Sequence, residues 1–143
     1  MDLVLGYGNE LRRDDGAGPA VARAVARASW PGVQAEAAHQ LLPEHSVRVA
    51  AADRVVFVDA TVEGAGAVLC RPLEPAPGMG QILVHACDPA GLLALARHVH
   101  GRVPQAWLVT IPARDLALGE GLSLEVEAAV ASAVAAIRRL LHP

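Results

Sequence analysis

Three titratable residues stand where a catalytic or metal-holding site would be built: Asp15, Asp59 and His85. Asp15 is the second of two adjacent aspartates in residues 6–16, GYGNELRRDDG, where a short apolar stretch runs into two glycines. Asp59 closes the apolar run VVFVDA, a costly place for a carboxylate unless it is paired, solvated or bound to a cation. His85 ends another apolar run in QILVHACDP, directly before a helix start. Two carboxylates and an imidazole make a mixed oxygen–nitrogen set suited to borderline divalent ions such as Ni²⁺, Zn²⁺ or Co²⁺. The same three groups could instead supply a general base and an acid. Both chemistries stay open at this point.

The glycine turn is not a nucleotide fingerprint. Counting from Gly6, the third glycine of G-x-G-x-x-G is replaced by Leu11, and no G-x-x-x-x-G-K-S/T occurs. Asp14 and Asp15 would also meet an incoming phosphate with negative charge. The structural alternative is that Asp14 caps the first helix and Asp15 supports its dipole. The glycines allow close backbone approach or positive φ, and Asn9 is expected to hold the turn through its side chain.

The elements that must position these residues follow from the hydrophobic pattern. Strands are expected at Leu3–Leu5, Val33–Ala37, Val55–Val58, Val68–Arg71 and Trp107–Ile111, several as continuous apolar runs of the kind covered on both faces. A helix over Gly16–Ala28 puts Val21, Ala24, Val25 and Ala28 on one stripe. A shorter one over Pro43–Ala51 has Leu42, Val47 and Ala50 as its apolar side. Asp88-Pro89 marks an N-cap and first helical position, with Gly101 ending that helix near His100. Ser123 is the N-cap candidate of the last helix, which has Glu125 and Glu127 in its first turn. Val126, Val130, Val134, Ile137 and Leu141 form its stripe. The order βαβαβ–β–αβ–α predicts a three-layer α/β/α domain over 1–143 with a mostly parallel, twisted five-stranded sheet. In such a sheet ligands bind outside the carboxyl ends of the strands, which is where Asp15, Asp59 and His85 fall, with His39 and Gln40 after the second strand. His45, His98, His100 and His142 are expected on exposed helix or tail positions. The Pro- and Gly-rich stretch 73–80 is expected to cross the surface.

Composition narrows the function classes. The chain has 143 residues, a net charge of −3 and 3% aromatics, so it lacks both the basic footprint and the stacking platforms of nucleic-acid binders. No apolar run reaches the roughly 18 residues of a membrane span, and the N-terminus enters a strand without a basic leader segment. A cytoplasmic protein with no membrane partner is expected. Cys70 and Cys87 lack metal-type spacing and are expected to be buried thiols in a reducing compartment. Neither Ser46 nor Cys87 sits in an elbow or triad-like context, which disfavours a Ser or Cys nucleophile.

The ordered motifs resemble the hydrogenase maturation endopeptidases, which remove a C-terminal extension from the large subunit of nickel–iron hydrogenases after nickel insertion. GYGNELRRDDGAGPAV is similar to that family's G-x-G-N-x-L-x-x-D-D/E-x-x-G-x-x-V block. VVFVDA resembles its second block, VHACDPAGLLALA its histidine-bearing third, and LVTIPARDLALGEGLSLEVEAAV its closing stretch. HQLLPEH resembles a variant block of members that serve soluble hydrogenases. The resemblance implies that the metal-contacting and catalytic residues fall on Asp15 (Glu in some relatives), Asp59 and His85. It also implies a five-stranded sheet between helices and a nickel–iron hydrogenase large-subunit precursor as partner. The nickel is carried by that precursor, and zinc or cadmium is an expected stand-in in vitro.

Peptide hydrolysis then needs an activated water and a stabilised oxyanion. Either a metal-polarised water or a carboxylate base of the aspartyl type, Asp15 or Asp59, meets the first need. Two rivals differ in their consequences. A metal-dependent hydrolase of similar fold would cut ordinary peptides and bind metal tightly by itself. A nickel-binding or chaperone module would bind the precursor without shortening it.

Overall fold

The computed structural model describes residues 1–63, 66–78 and 87–143. Strand β1 (Asp2–Tyr7) leads through a 3₁₀ turn (Arg13–Gly16) into α1 (Ala17–Ala28), then β2 (Val33–Ala38), a second 3₁₀ turn (Pro43–His45) and α2 (Ser46–Ala51). There follow β3 (Arg54–Thr61), β4 (Leu69–Leu73), α3 (Pro89–His100), β5 (Gln105–Pro112) and α4 (Leu124–Leu141). The sheet order is β2-β1-β3-β5-β4. All neighbours pair in parallel except β4, which runs antiparallel along β5. Each expected strand and helix is present, in the expected order.

Alternation along the central strands divides the apolar side chains between two faces, because successive residues of a strand point to opposite sides. Leu3, Leu5, Val55, Phe57 and Leu108 join Val49, Leu92 and Leu93 beneath α2 and α3. Val4, Val56, Val58, Val109 and Ile111 join Val21, Val25, Val126 and Ile137 beneath α1 and α4. Burying each such side chain is worth about 1.5–3 kcal/mol. The fold is therefore held by the two sheet faces, and the rim is left free to carry polar chemistry.

Local signals act largely as read. Asp88 caps α3 by accepting from the Gly91 N–H at 2.8 Å, and Gly101 closes that helix at φ 71°. Three expectations are corrected. Cys70 and Cys87 are exposed, not buried, since Cys70 lies on the edge strand β4 and Cys87 precedes the cap of α3. On α2, Val49 faces the core and Val47 is exposed, because the short helix starts at Ser46 and turns Val47 outward. His45 is not an exposed position: its Nδ1 accepts from the Leu42 N–H at 2.9 Å, and only 11% of its side chain is exposed. His98, His100 and His142 are exposed as expected. Among the described residues, no helix is long and apolar enough to cross a membrane.

Candidate active site

The glycines of the first motif set the geometry of the rim. A Cβ at Gly6 would lie 1.9 Å from the Gly18 carbonyl oxygen. One at Gly18 would lie 2.4 Å from the Tyr7 and 2.5 Å from the Val58 carbonyl oxygens. The N-terminal turn of α1 thus rests directly on the backbones of β1 and β3. This is the close helix–strand packing that a third glycine gives nucleotide-binding turns, supplied here by Gly18 rather than at the position of Leu11. Gly8 has φ 151°, and a Cβ there would strike the Asp15 carbonyl oxygen at 1.9 Å. The turn therefore folds back onto Asp15, as only glycine permits.

Asp15 sits in the 3₁₀ turn, half-buried, with Oδ2 accepting from the Asn9 N–H at 2.8 Å. Asn9 in turn accepts from the Leu11 N–H through Oδ1 at 3.0 Å, the side-chain-held turn expected of it. Asp14 does not cap α1. It is fully buried and accepts hydrogen bonds from residues of the β5–α4 connection instead. Burial alone would raise its pKa. The N–H groups of Ser123, Arg114 and Asp115 and the Ser123 hydroxyl outweigh that and hold the carboxyl below the usual range. Ser123 occupies the N-cap position of α4, but its hydroxyl donates to Asp14 rather than capping the helix.

Asp59 ends the buried part of β3, beside the end of β1, where Gly6 pairs with Val58. Tyr7, one residue on, donates its hydroxyl to Asp59 Oδ2 at 3.1 Å. Burial pushes the Asp59 carboxyl up to about 6. The Tyr7 hydrogen bond opposes this, the Asp15 charge adds to it, and the Ala60 N–H opposes it again. The Tyr7 phenol is itself raised far above its ordinary value, by burial first and then by the charges of Asp59 and Asp88. The structure thus brings Asp15 and Asp59 into electrostatic contact at the carboxyl ends of β1 and β3. His85 lies outside the described residues, as does the end of the 73–80 stretch. His39 and Gln40 are exposed beyond β2. Among the described residues, no group of three His, Cys, Asp or Glu side chains is arranged to hold a metal ion.

Two participants escaped the sequence reading. Tyr7 lies between the two motif glycines, and a phenol there is one strand spacing from any residue closing β3. Asp14 read as a helix cap because its partners are about 100 residues away in sequence.

No protein-family profile matches the chain, and no curated protein does. Solved structures do. The chain is similar to a hydrogenase 2 maturation peptidase from Thaumarchaeota archaeon SCGC_AB-539-E09, at 26% identity and TM-score 0.72, over 99% of this chain and 97% of that one. It is also similar to the [NiFe] hydrogenase maturation protease HycI from Thermococcus kodakarensis KOD1, at 22% identity and TM-score 0.75, over 100% and 93% of the two chains. The hydrogenase maturating endopeptidase HybD from E. coli matches at 21% identity and TM-score 0.73, over 99% and 92%. The resemblance carried by the motifs extends to the three-dimensional fold along the whole chain.

Proposed function

We propose that this chain is an endopeptidase that removes the C-terminal extension of a nickel–iron hydrogenase large-subunit precursor once nickel is in place. The observation that carries the reading is Asp59: a half-buried carboxyl at about 6, fixed by the Tyr7 hydroxyl and set beside the charge of Asp15. A carboxyl poised near neutral pH is suited to take up and return a proton within one reaction cycle. In this reading the ionised Asp59 accepts a proton from a water whose oxygen attacks the scissile carbonyl carbon. The carbon–nitrogen bond then breaks, and the proton passes to the departing amine. The nickel belongs to the substrate. Asp15, Asp59 and His85 contact it, and an unloaded precursor docks poorly, which makes cleavage conditional on the metal.

The rim also suits a macromolecular partner. Leu11, Val62, Leu69, Leu118 and Leu124 are exposed large apolar side chains, and all lie on or beside the end of the sheet that carries Asp15 and Asp59. Apolar groups concentrated around a site point to a protein surface as their cover. The test is a processing assay with precursor in nickel-loaded and nickel-free forms, its C-terminus read by mass spectrometry. Shortening of the loaded form alone supports the proposal. Binding without shortening moves the assignment to a chaperone, and shortening of unrelated peptides moves it to a general hydrolase.

A further inference from the structure

Among the described residues, Asp14 is the charged side chain most completely removed from solvent, at 0% exposure. Its Oδ2 accepts from the N–H groups of Arg114 and Asp115, both at 2.8 Å, and from the Ser123 hydroxyl at 2.9 Å. Its Oδ1 accepts from the Ser123 N–H at 2.7 Å. These donors stand at the two ends of the 113–123 connection between β5 and α4. The middle of that connection is tied as well: Arg13 N–H donates to the Gly119 carbonyl at 3.1 Å, and Gly119 N–H to the Leu11 carbonyl at 2.8 Å. Asp14 N–H donates to the Asp115 carbonyl at 2.9 Å, and Arg13 Nε lies 3.1 Å from Asp115 Oδ2. Arg13 accepts a left-handed backbone, φ 46°, to make these links.

Four donors converge on two oxygens, a demand that an ionised carboxylate meets and an amide does not. An asparagine would turn two donors of its own toward N–H and O–H groups that also need acceptors. This arrangement bears on Asp15 because the two residues share one planar peptide unit. The Asp15 N–H is in turn fixed to the Arg12 carbonyl at 3.1 Å. Where Asp14 is clamped and the Asp15 N–H is held, the Cα from which the Asp15 side chain springs is fixed in place.

We infer that Asp14 is a positioning residue: its buried carboxylate clamps the 113–123 connection to the acidic turn and thereby holds the Asp15 carboxylate in its working place at the rim. The inference rests on reading Asp15 as a site residue. Catalytic geometry is sensitive to displacements of about 1 Å, which cost up to about 100-fold in rate.

The test compares Asp14→Asn and Ser123→Ala with the unaltered full chain, after circular dichroism has established the folded fraction. Two readouts are needed. One is the amide resonance of Asn9, whose N–H reports the Asp15 carboxylate directly. The other is kcat and KM on nickel-loaded precursor. The expected result for Asp14→Asn is a displaced Asn9 amide with kcat per folded molecule reduced about tenfold or more and KM within twofold. Ser123→Ala, which removes one hydrogen bond of the four, is expected to show the same pattern at a few-fold. A loss of thermal stability alone, with the Asn9 amide and kcat unchanged, overturns the inference. If Asp14→Asn does not fold, Ser123→Ala decides on the same criteria. If the unaltered chain leaves the precursor intact, the proposed function fails, while the Asn9 resonance still decides the positioning role.

Discussion

The Tyr7 hydroxyl donates to Asp59 Oδ2 at 3.1 Å across the adjoining ends of β1 and β3. The bond gives a half-buried carboxylate one of the partners that burial takes from it, yet the carboxyl still rises from 3.8 to about 6. A carboxyl held above its unfolded value favours the protonated folded state. Both states are protonated below about pH 4, and the folded state meets the full cost of ionisation above about pH 6. Stability is therefore expected to fall as pH rises through that window. Asp59→Asn should remove the effect. At ~1.4 kcal/mol per tenfold change in proton affinity the ceiling is about 3 kcal/mol, and solvent screening of a half-buried group brings it to about 1–2 kcal/mol. Urea melts at pH 7 and pH 4 check this: the variant should be more stable at pH 7 and equal at pH 4, while losing processing.

Tyr7→Phe deletes only the hydroxyl. Asp59 then loses a bond that favours its ionised form, so its proton leaves at higher pH. With Asp59 as the base, the acidic limb of the rate profile should follow its carboxyl and move upward. The rate at pH 6 should fall a few-fold and recover at higher pH. A pH series of single-turnover processing measures it, and an unmoved limb assigns the base elsewhere.

Gly18→Ala should be among the most damaging single-atom changes in the chain. Its Cβ would meet the Tyr7 carbonyl oxygen at 2.4 Å, the Val58 carbonyl oxygen at 2.5 Å and the Tyr7 nitrogen at 2.8 Å, all backbone atoms that cannot swing aside. We expect a loss of about 2–4 kcal/mol, in the range of severe overpacking, with any residual folded protein impaired because Tyr7 carries the Asp59 contact. Gly16→Ala is the control, since its nearest approach is 3.2 Å, to Glu10 Cα. Thermal melts of the two variants should differ clearly.

The stability of the core and the chemistry of the rim should separate under mutation. Val56→Ala, at a side chain with no exposed surface, should cost about 1–3 kcal/mol by leaving a cavity, without loss of activity per folded molecule. Asp15→Ala and Asp59→Ala should do the reverse, abolishing processing without lowering the melt. Unfolding of the aspartate variants would mean that structural polar groups had been taken for a site.

The fold was legible because its signals are local. Apolar runs such as VVFV mark buried strands, and Asp88-Pro89 and Gly101 punctuate α3 at the residues expected. The placement of Asp15 and Asp59 on one rim was legible because strand ends in a parallel sheet converge by topology. What stayed hidden depends on contacts between distant segments. Asp14 and Ser123 looked like two independent helix caps, and 109 residues of chain separate the pair that the fold joins in one hydrogen-bonded clamp. Gly18 matched a motif position, but its closeness to the Val58 carbonyl exists only once β3 lies beside β1. The exposure of Cys70 likewise follows from strand order, because β4 falls at the edge of the sheet.

Leu118 and Leu124 offer a test of the rim as a docking surface. They are 89% and 82% exposed, so neither supports the core, and changing them to serine should alter stability by less than about 0.5 kcal/mol. Both lie on or next to the connection that Asp14 clamps beside the acidic turn. A hydrogenase precursor that covers this surface would bury the two leucines at roughly 1.5–3 kcal/mol each in the bound state. The double Leu118→Ser, Leu124→Ser variant should therefore bind precursor at least tenfold more weakly and raise KM, with kcat nearly unchanged. In the proposed function the chemistry at Asp59 does not pass through either side chain, so a fall in kcat at constant KM would place the precursor's contact elsewhere on the protein.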